Sequence, residues 1–357
     1  MQCLIHDIMK RISLLVSLLL ACGAALAQPQ LRSQWEGARV AFLGDSITDA
    51  RQIGTTNNIY WNNLVGILGI EPYVYGISGH RMNQIIGQGQ RLEREHGQEV
   101  DAILVFIGTN DFNGNIPLGE WYTYSMEKTI DDGPEEVERK HRELVYDDAT
   151  FKGRTNTTLR WLKTHYPDKQ IIFLTPIHRG FAKFNDKNIQ PPESFANDNG
   201  YFIDDYIQAV REIADVWAVP VIDLASISGL YPLLDEHTRY FRNADTDRLH
   251  PNTPGQLRMA WAIAYQLLGY PARFPKYIAV EMDFSEEAPA LPEDVLGTVR
   301  DGDILRVPAR DEAAVKRMKE LVPALERRGF TVLDSSAELW AVRGIPAPAD
   351  NTKTNVY

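Results

Sequence analysis

From residue 40 onward the chain alternates short apolar runs with segments of helical period, and that alternation leaves few folds open. The runs fall at residues 40–43, 72–75, 102–107, 170–174 and 219–222 and are rich in Val, Ile and Phe. Strands buried on both faces of a parallel sheet read this way, because neither face alternates with polar residues. Between the runs, residues 60–68 place Leu64, Ile67 and Leu68 on one side, and residues 155–164 carry Leu159 and Leu162. Residues 202–217 space Ile203, Ile207, Val210, Ala214 and Trp217 at helical intervals, and 255–268 follow Pro254, a residue suited to a helix's first turn. The alternation predicts an α/β class fold, a three-layer sandwich with right-handed crossovers.

Two stretches break the rhythm. Residues 112–150 are charged and aromatic, with Trp121, Tyr122 and Tyr124 ahead of the acidic run 131–138. An insertion just past a strand's carboxyl end is where such folds build substrate sites. The plainer reading is a solvated excursion with a helix at 135–145. The second break, at Pro271 and Pro275 with Arg273 and Lys276 between and after them, reads as a linker. Beyond it, segments 277–282, 304–307, 313–327, 330–333 and 339–342 suggest a small α+β domain over 277–345, with no His, no Cys and no chemical motif. A packing module is the plainer assignment for it, a glycan- or partner-binding one the alternative.

At the N-terminus, Lys10 and Arg11 precede an apolar run and then small residues ending at Ala27. That pattern predicts a signal peptide over 1–27 and a secreted or periplasmic protein. The apolar run is short for a membrane span. Both cysteines, Cys3 and Cys22, fall inside this segment, so the mature chain would lack any thiol. Leu19-Leu20-Ala21-Cys22 resembles a lipoprotein cleavage site and would anchor Cys22 to lipid; the mass of the mature N-terminus distinguishes the two. A net charge of −11 argues against nucleic-acid and anionic-membrane partners.

Four motifs at strand ends or in loops carry the chemistry. Gly44-Asp45-Ser46 follows the first apolar run, where a hydroxyl would sit exposed at the sheet's carboxyl edge; alone, the triplet reads equally as a helix N-cap. Gly76-Ile77-Ser78-Gly79-His80 follows the second run, with Gly79 as a donor of main-chain N–H or as a plain turn glycine. Gly108-Thr109-Asn110-Asp111 ends the third, where the Asn110 amide could donate to an oxyanion or form an Asx-turn. In Asp247-Arg248-Leu249-His250-Pro251, a carboxylate and an imidazole three residues apart can supply a base and its orienting acid to a serine. No pair of histidines shows metal-ligand spacing, so neither metal nor other cofactor is expected.

Taken in this order, the four motifs resemble those of the SGNH/GDSL hydrolase family over roughly residues 39–270. The four lettered positions fall on Ser46, Gly79, Asn110 and His250, with Asp247 as the triad acid. One departure is Val74, where family members often carry Asn five residues before the second-motif glycine. The resemblance implies a flavodoxin-like sandwich with a parallel sheet of about five strands, and a catalytic domain over 28–272. It implies acyl-ester hydrolysis by Ser46, His250 and Asp247, with Ser46 N–H, Gly79 N–H and the Asn110 side chain as oxyanion hole. Asp45, His178, Trp121 and Tyr122 are the candidate substrate contacts. Export and the aromatic insertion favour a carbohydrate ester, probed against a lipase or lysophospholipase for longer acyl chains and a non-catalytic glycan-binding module. The oligomeric state is left open.

Overall fold

The computed structural model describes residues 33–54, 59–285 and 289–345. The signal-peptide reading and both cysteines lie outside these residues. The chain divides into two compact units between Ala272 and Arg273.

The first unit opens with β1 (Arg39–Gly44), α1 (Tyr60–Leu68), β2 (Glu71–Val74), α2 (Ile85–His96), β3 (Ala102–Phe106) and the short α3 (Thr109–Asn113). A ribbon of β4 (Tyr122–Ile130) and β5 (Glu136–Leu144) precedes α4 (Phe151–His165) and β6 (Gln170–Leu174). Then come β7 (Ala182–Asn185), β8 (Asn188–Gln190), α5 (Ile203–Trp217), β9 (Val221–Ile222) and α6 (Leu224–Ile227). The unit closes with β10 (Phe241–Asn243), β11 (Asp247–Pro251) and α7 (Thr253–Leu267).

The five apolar runs form one parallel sheet in the order β2-β1-β3-β6-β9. This is the flavodoxin-like order, with its reversal at β1. Side chains alternate between two cores, as a two-sided sheet requires. Val40, Phe42, Leu104 and Ile172 face α1 and α7, joined there by Leu64, Met259 and Ile263. Ala41, Leu43, Val105 and Phe173 face α2, α4 and α5, meeting Leu92, Leu159 and Ile207. Helix α7 begins on Asn252, whose side chain accepts the Gly255 N–H, with Pro254 in its first turn.

Three expectations need correction. Residues 135–145 are not a helix but strand β5, paired antiparallel with β4. The last sheet strand spans two residues, not four. Finally, Asp247 and His250 sit on a strand of a second, four-stranded sheet, β10-β11-β7-β8, rather than in a free loop.

The second unit contains β12 (Tyr277–Ala279), α8 (Glu293–Thr298), β13 (Ile304–Val307), α9 (Glu312–Met318), α10 (Val322–Arg327), β14 (Phe330–Asp334) and β15 (Leu339–Arg343). Its sheet runs β12-β13-β15-β14, with only the first pair parallel. Leu305, Val307, Leu325, Leu339 and Ala341 fill its own core. Between α9 and α10, residues 319–321 form a tighter turn, just ahead of Pro323 at the start of α10.

Candidate active site

Ser46 leaves the sheet at the carboxyl end of β1, at the crevice where strand order reverses, and Asn110 leaves beside it from β3. The turn between β1 and Ser46 is tight. A side chain at Gly44 would meet the Phe106 carbonyl oxygen at 2.6 Å, so only glycine fits. Asp45 then folds the loop back: its carbonyl accepts from Thr48 N and Asp49 N, and its Oδ1 from Ile47 N at 3.0 Å. Trp61 Nε1 donates to the Thr48 carbonyl and the Thr48 hydroxyl meets Tyr60 OH, which ties the loop to α1.

His250 comes from the other sheet. Its Nε2 lies 2.8 Å from Ser46 Oγ. Its Nδ1 lies 3.0 and 3.1 Å from the two carboxylate oxygens of Asp247. The same Asp247 Oδ1 accepts from His250 N and Leu249 N, which curls the strand so that both side chains turn the same way. Burial opposes ionisation of Asp247, but hydrogen bonds and charge from His250 outweigh it and hold the carboxyl below its ordinary range. The arrangement can pass a proton from a hydroxyl to an imidazole while a carboxylate fixes the far nitrogen.

Gly79 occupies the left-handed region at φ +83°. The loop before it is held by Asp49, which accepts from both Ser78 N and Ser78 Oγ at 2.9 Å. Burial works against the Asp49 charge, yet Arg51 and Ser78 keep its carboxyl well below the usual range. The Asn110 amide donates to the His80 carbonyl at 3.0 Å, using one of its two N–H groups.

Sequence reading passed over Gln88, a buried residue of α2. Its amide accepts from Gly44 N and donates to Gly44 O and to His80 Nδ1, so it clasps the β1 and Gly79 loops together. Behind Asn110, Asp111 is fully buried, accepting from Met82 N and Arg154. Phe184 was also missed. It stands on β7, 41% exposed, with its ring edge-on to His250 at 5.4 Å. Its one sequence signal is a lone aromatic in the polar stretch 182–188.

The candidate contacts divide. Asp45 and Trp121 are buried, with their polar atoms turned to partners inside the fold. Trp121 instead donates to Glu212 on α5, and its carbonyl accepts from Asn156 on α4. Tyr122 packs on the same apolar core under the Arg142 guanidinium. His178 is partly exposed, bonded to Glu193 and edge-on to Tyr231. The Glu193 hydrogen bond raises its pKa against the opposing effect of burial.

Asp45 carries an unusual electrostatic load. Burial, with neighbouring Asp111, pushes its carboxyl up to about 7 despite the Ile47 hydrogen bond. Unfolded, it would titrate near ~3.9. The folded state therefore holds a proton that the unfolded chain has released, and stability present below about pH 4 is lost as pH rises through about 7. Asp45→Asn is expected to raise the thermal midpoint relative to the parent at about pH 8 and not at about pH 4, by up to roughly 4 kcal/mol in stability. Scanning fluorimetry at the two pH values checks this; a difference that does not change with pH refutes it.

Among the described residues, no cluster of three or more His, Cys, Asp or Glu side chains is placed to hold a metal ion, and no helix is long and apolar enough to cross a membrane.

The profile of the GDSL-like Lipase/Acylhydrolase family matches residues 42–258. A protein from Lactobacillus plantarum of solved structure is 25% identical, covering 66% of this chain and 98% of its own, with a TM-score of 0.50. A possible lipase from Chitinophaga pinensis is 20% identical over 65% of this chain and 98% of its own, at a TM-score of 0.48. An acetylxylan esterase from Geobacillus stearothermophilus, solved as a catalytic mutant, is 19% identical over 66% of this chain and 96% of its own, at 0.40. No curated protein matches the chain significantly.

Proposed function

The chain belongs to the GDSL-like lipase/acylhydrolase family and is a carboxylic ester hydrolase, and on that premise we propose that Ser46, His250 and Asp247 are its nucleophile, base and acid. The observation that carries this reading is the unbroken relay from Ser46 Oγ through His250 to Asp247, at 2.8 and 3.0 Å. Ser46 attacks the acyl carbonyl while His250 Nε2 takes its proton. The tetrahedral oxyanion is met by Ser46 N–H, Gly79 N–H and the second Asn110 amide hydrogen. His250 then protonates the leaving alcohol, and a water it activates releases the acid from Ser46. Gln88 and Asp49 act at a distance from the reaction, holding the loops that carry the donors.

For the substrate we propose an acylated carbohydrate, most simply an acetyl ester, in an exported protein. Support comes from Phe184, an exposed aromatic ring that stands edge-on to His250 of the relay. Of the ribbon aromatics, Trp121 is buried on the helical layer and adds no support. A second reading rests on Phe184 of β7 and Ile189 of β8, two exposed apolar side chains that could take a longer acyl chain. Turnover of aryl acetate is expected to exceed that of aryl palmitate by roughly tenfold or more, a discrimination of the size acyl-pocket fit supplies. Faster palmitate turnover rejects the sugar-ester reading and leaves the hydrolase.

A further inference from the structure

The ribbon of β4 and β5 carries none of the relay or oxyanion residues. Each strand has nine residues, in unbroken register from Tyr122 opposite Leu144 to Ile130 opposite Glu136. At ~3.4 Å per residue it is about 30 Å long. Among the described residues each strand pairs only with the other. A lone two-stranded ribbon is marginal in water and needs a third strand or apolar cover. Here Tyr124, Met126 and Ile130 share one face and are 60%, 62% and 71% exposed. The base is fixed, with Trp121 and Val145 joined to Asn156 of α4. A long outer edge of this kind is open to pairing with another strand.

The charges of β5 say which strand. On the face shared with Tyr124 it carries Glu136, Glu138, Lys140 and Arg142, two acids and then two bases. A two-fold axis between antiparallel copies of one strand stands perpendicular to the sheet and keeps each face on its own side. A residue n places before the axis then lies across from the residue n places after it. With the axis at Arg139, Glu136 faces Arg142 and Glu138 faces Lys140, in both directions. Shifted by one, the axis sets Glu138 against its copy, or Lys140 against its copy; shifted by two, it pairs Glu136 with Glu138, or Lys140 with Arg142. Like charges directly opposite are destabilising. The costs of the matched register are Arg139 facing its copy on the other side, where Asp131 already neutralises each one, and Glu143 facing Glu135 at the strand's end. Within one chain the ribbon's ion pairs, among the described residues, are Lys128–Glu136, Arg139–Asp131 and His141–Glu127. Lys140 and Arg142 lie over the rings of Tyr124 and Tyr122.

We propose that two copies of this chain associate through β5, antiparallel about Arg139, joining their ribbons into one four-stranded sheet. Light scattering or sedimentation on the full chain reads the mass. The parent is expected to be a dimer whose association weakens as salt is added. K140E/R142E makes the four-residue set wholly acidic and E136K/E138K makes it wholly basic, so each alone is expected to self-associate roughly 30-fold more weakly or worse. Mixed in equal amounts, the two are expected to recover a dimer containing one of each. Thermal midpoints like the parent's establish that both variants are folded, and a variant that fails this is replaced by the single change K140E or E138K. A monomeric parent overturns the proposal, including one that binds vesicles or polysaccharide instead. Variants that dimerise as the parent does, or a mixture that stays monomeric, overturn it equally.

Discussion

Replacing Ser46 with alanine is expected to lower kcat for aryl acetate by on the order of 10⁶-fold, the loss seen when a hydrolase triad loses its nucleophile. The loss is so large because the triad acts as a unit: without Oγ, His250 has nothing to deprotonate on the enzyme, and Asp247 orients a base without a task. A residue of catalysis, roughly 10³–10⁴ over water, is expected to survive through oxyanion donors and substrate binding alone. The fold should be indifferent. Ser46 is only partly buried, and the backbone turn around it is set by its neighbours: the Asp45 carbonyl and Oδ1, and the Trp61 bond to Thr48. Steady-state kinetics paired with a thermal melt therefore separates chemistry from structure. A Ser46→Ala protein with the parent's kcat would remove the triad and assign the hydrolysis to another group.

The parts of this molecule that were legible in its sequence are those where burial decides residue type. Strands β1, β3 and β6 are buried at nearly every position, so they could only be written in Val, Ile, Leu, Phe and Ala with little else. Helix α5 buries one side on the sheet, and its apolar residues recur accordingly. The relay residues were legible for a different reason: Ser46, Gly79, Asn110 and the Asp247–His250 pair lie in short motifs whose joint occurrence is specific.

Where solvent takes both faces, the pattern has no content. Strand β5 reads Glu-Val-Glu-Arg-Lys-His-Arg-Glu-Leu, good helix formers without an apolar period, and only its pairing with β4 makes it a strand. The sheet that delivers His250 was invisible for want of length, since β7, β8 and β10 have four residues or fewer. Trp121 shows the limit of composition. An aromatic residue in an insertion suits a sugar face and a core equally, and here the core holds it, through Glu212. Gln88 shows the reverse. It reads as a solvated helix residue, but α2 packs so closely that a side chain at Gly89 would strike Trp161 at 2.4 Å, and the adjacent amide is driven inward to Gly44.

Asp247→Asn is expected to cost about 10⁴-fold in kcat while leaving KM and the thermal midpoint close to the parent's. The argument turns on which way the new amide must face. Asp247 Oδ1 already accepts from two main-chain donors, His250 N at 3.0 Å and Leu249 N at 3.2 Å. An amide nitrogen cannot take that place, because donor would meet donor, so the asparagine oxygen stays there and its NH₂ takes the position of Oδ2. That position is 3.0 Å from His250 Nδ1. Facing this donor, with the remaining oxygen at 3.1 Å already taken by two main-chain N–H groups, Nδ1 is favoured to accept, which moves the imidazole proton to Nε2, 2.8 Å from Ser46 Oγ. A protonated Nε2 donates to the serine and cannot deprotonate it. Asp247→Ala lacks the misdirecting NH₂ but also loses the clamp on the main chain, so it is expected to lower the melting temperature, which the asparagine variant does not. Loss of less than about tenfold in the asparagine variant would show that Asp247 supports the strand without setting the tautomer. A loss of the expected size in a protein that melts like the parent places the role of Asp247 on one proton of one ring.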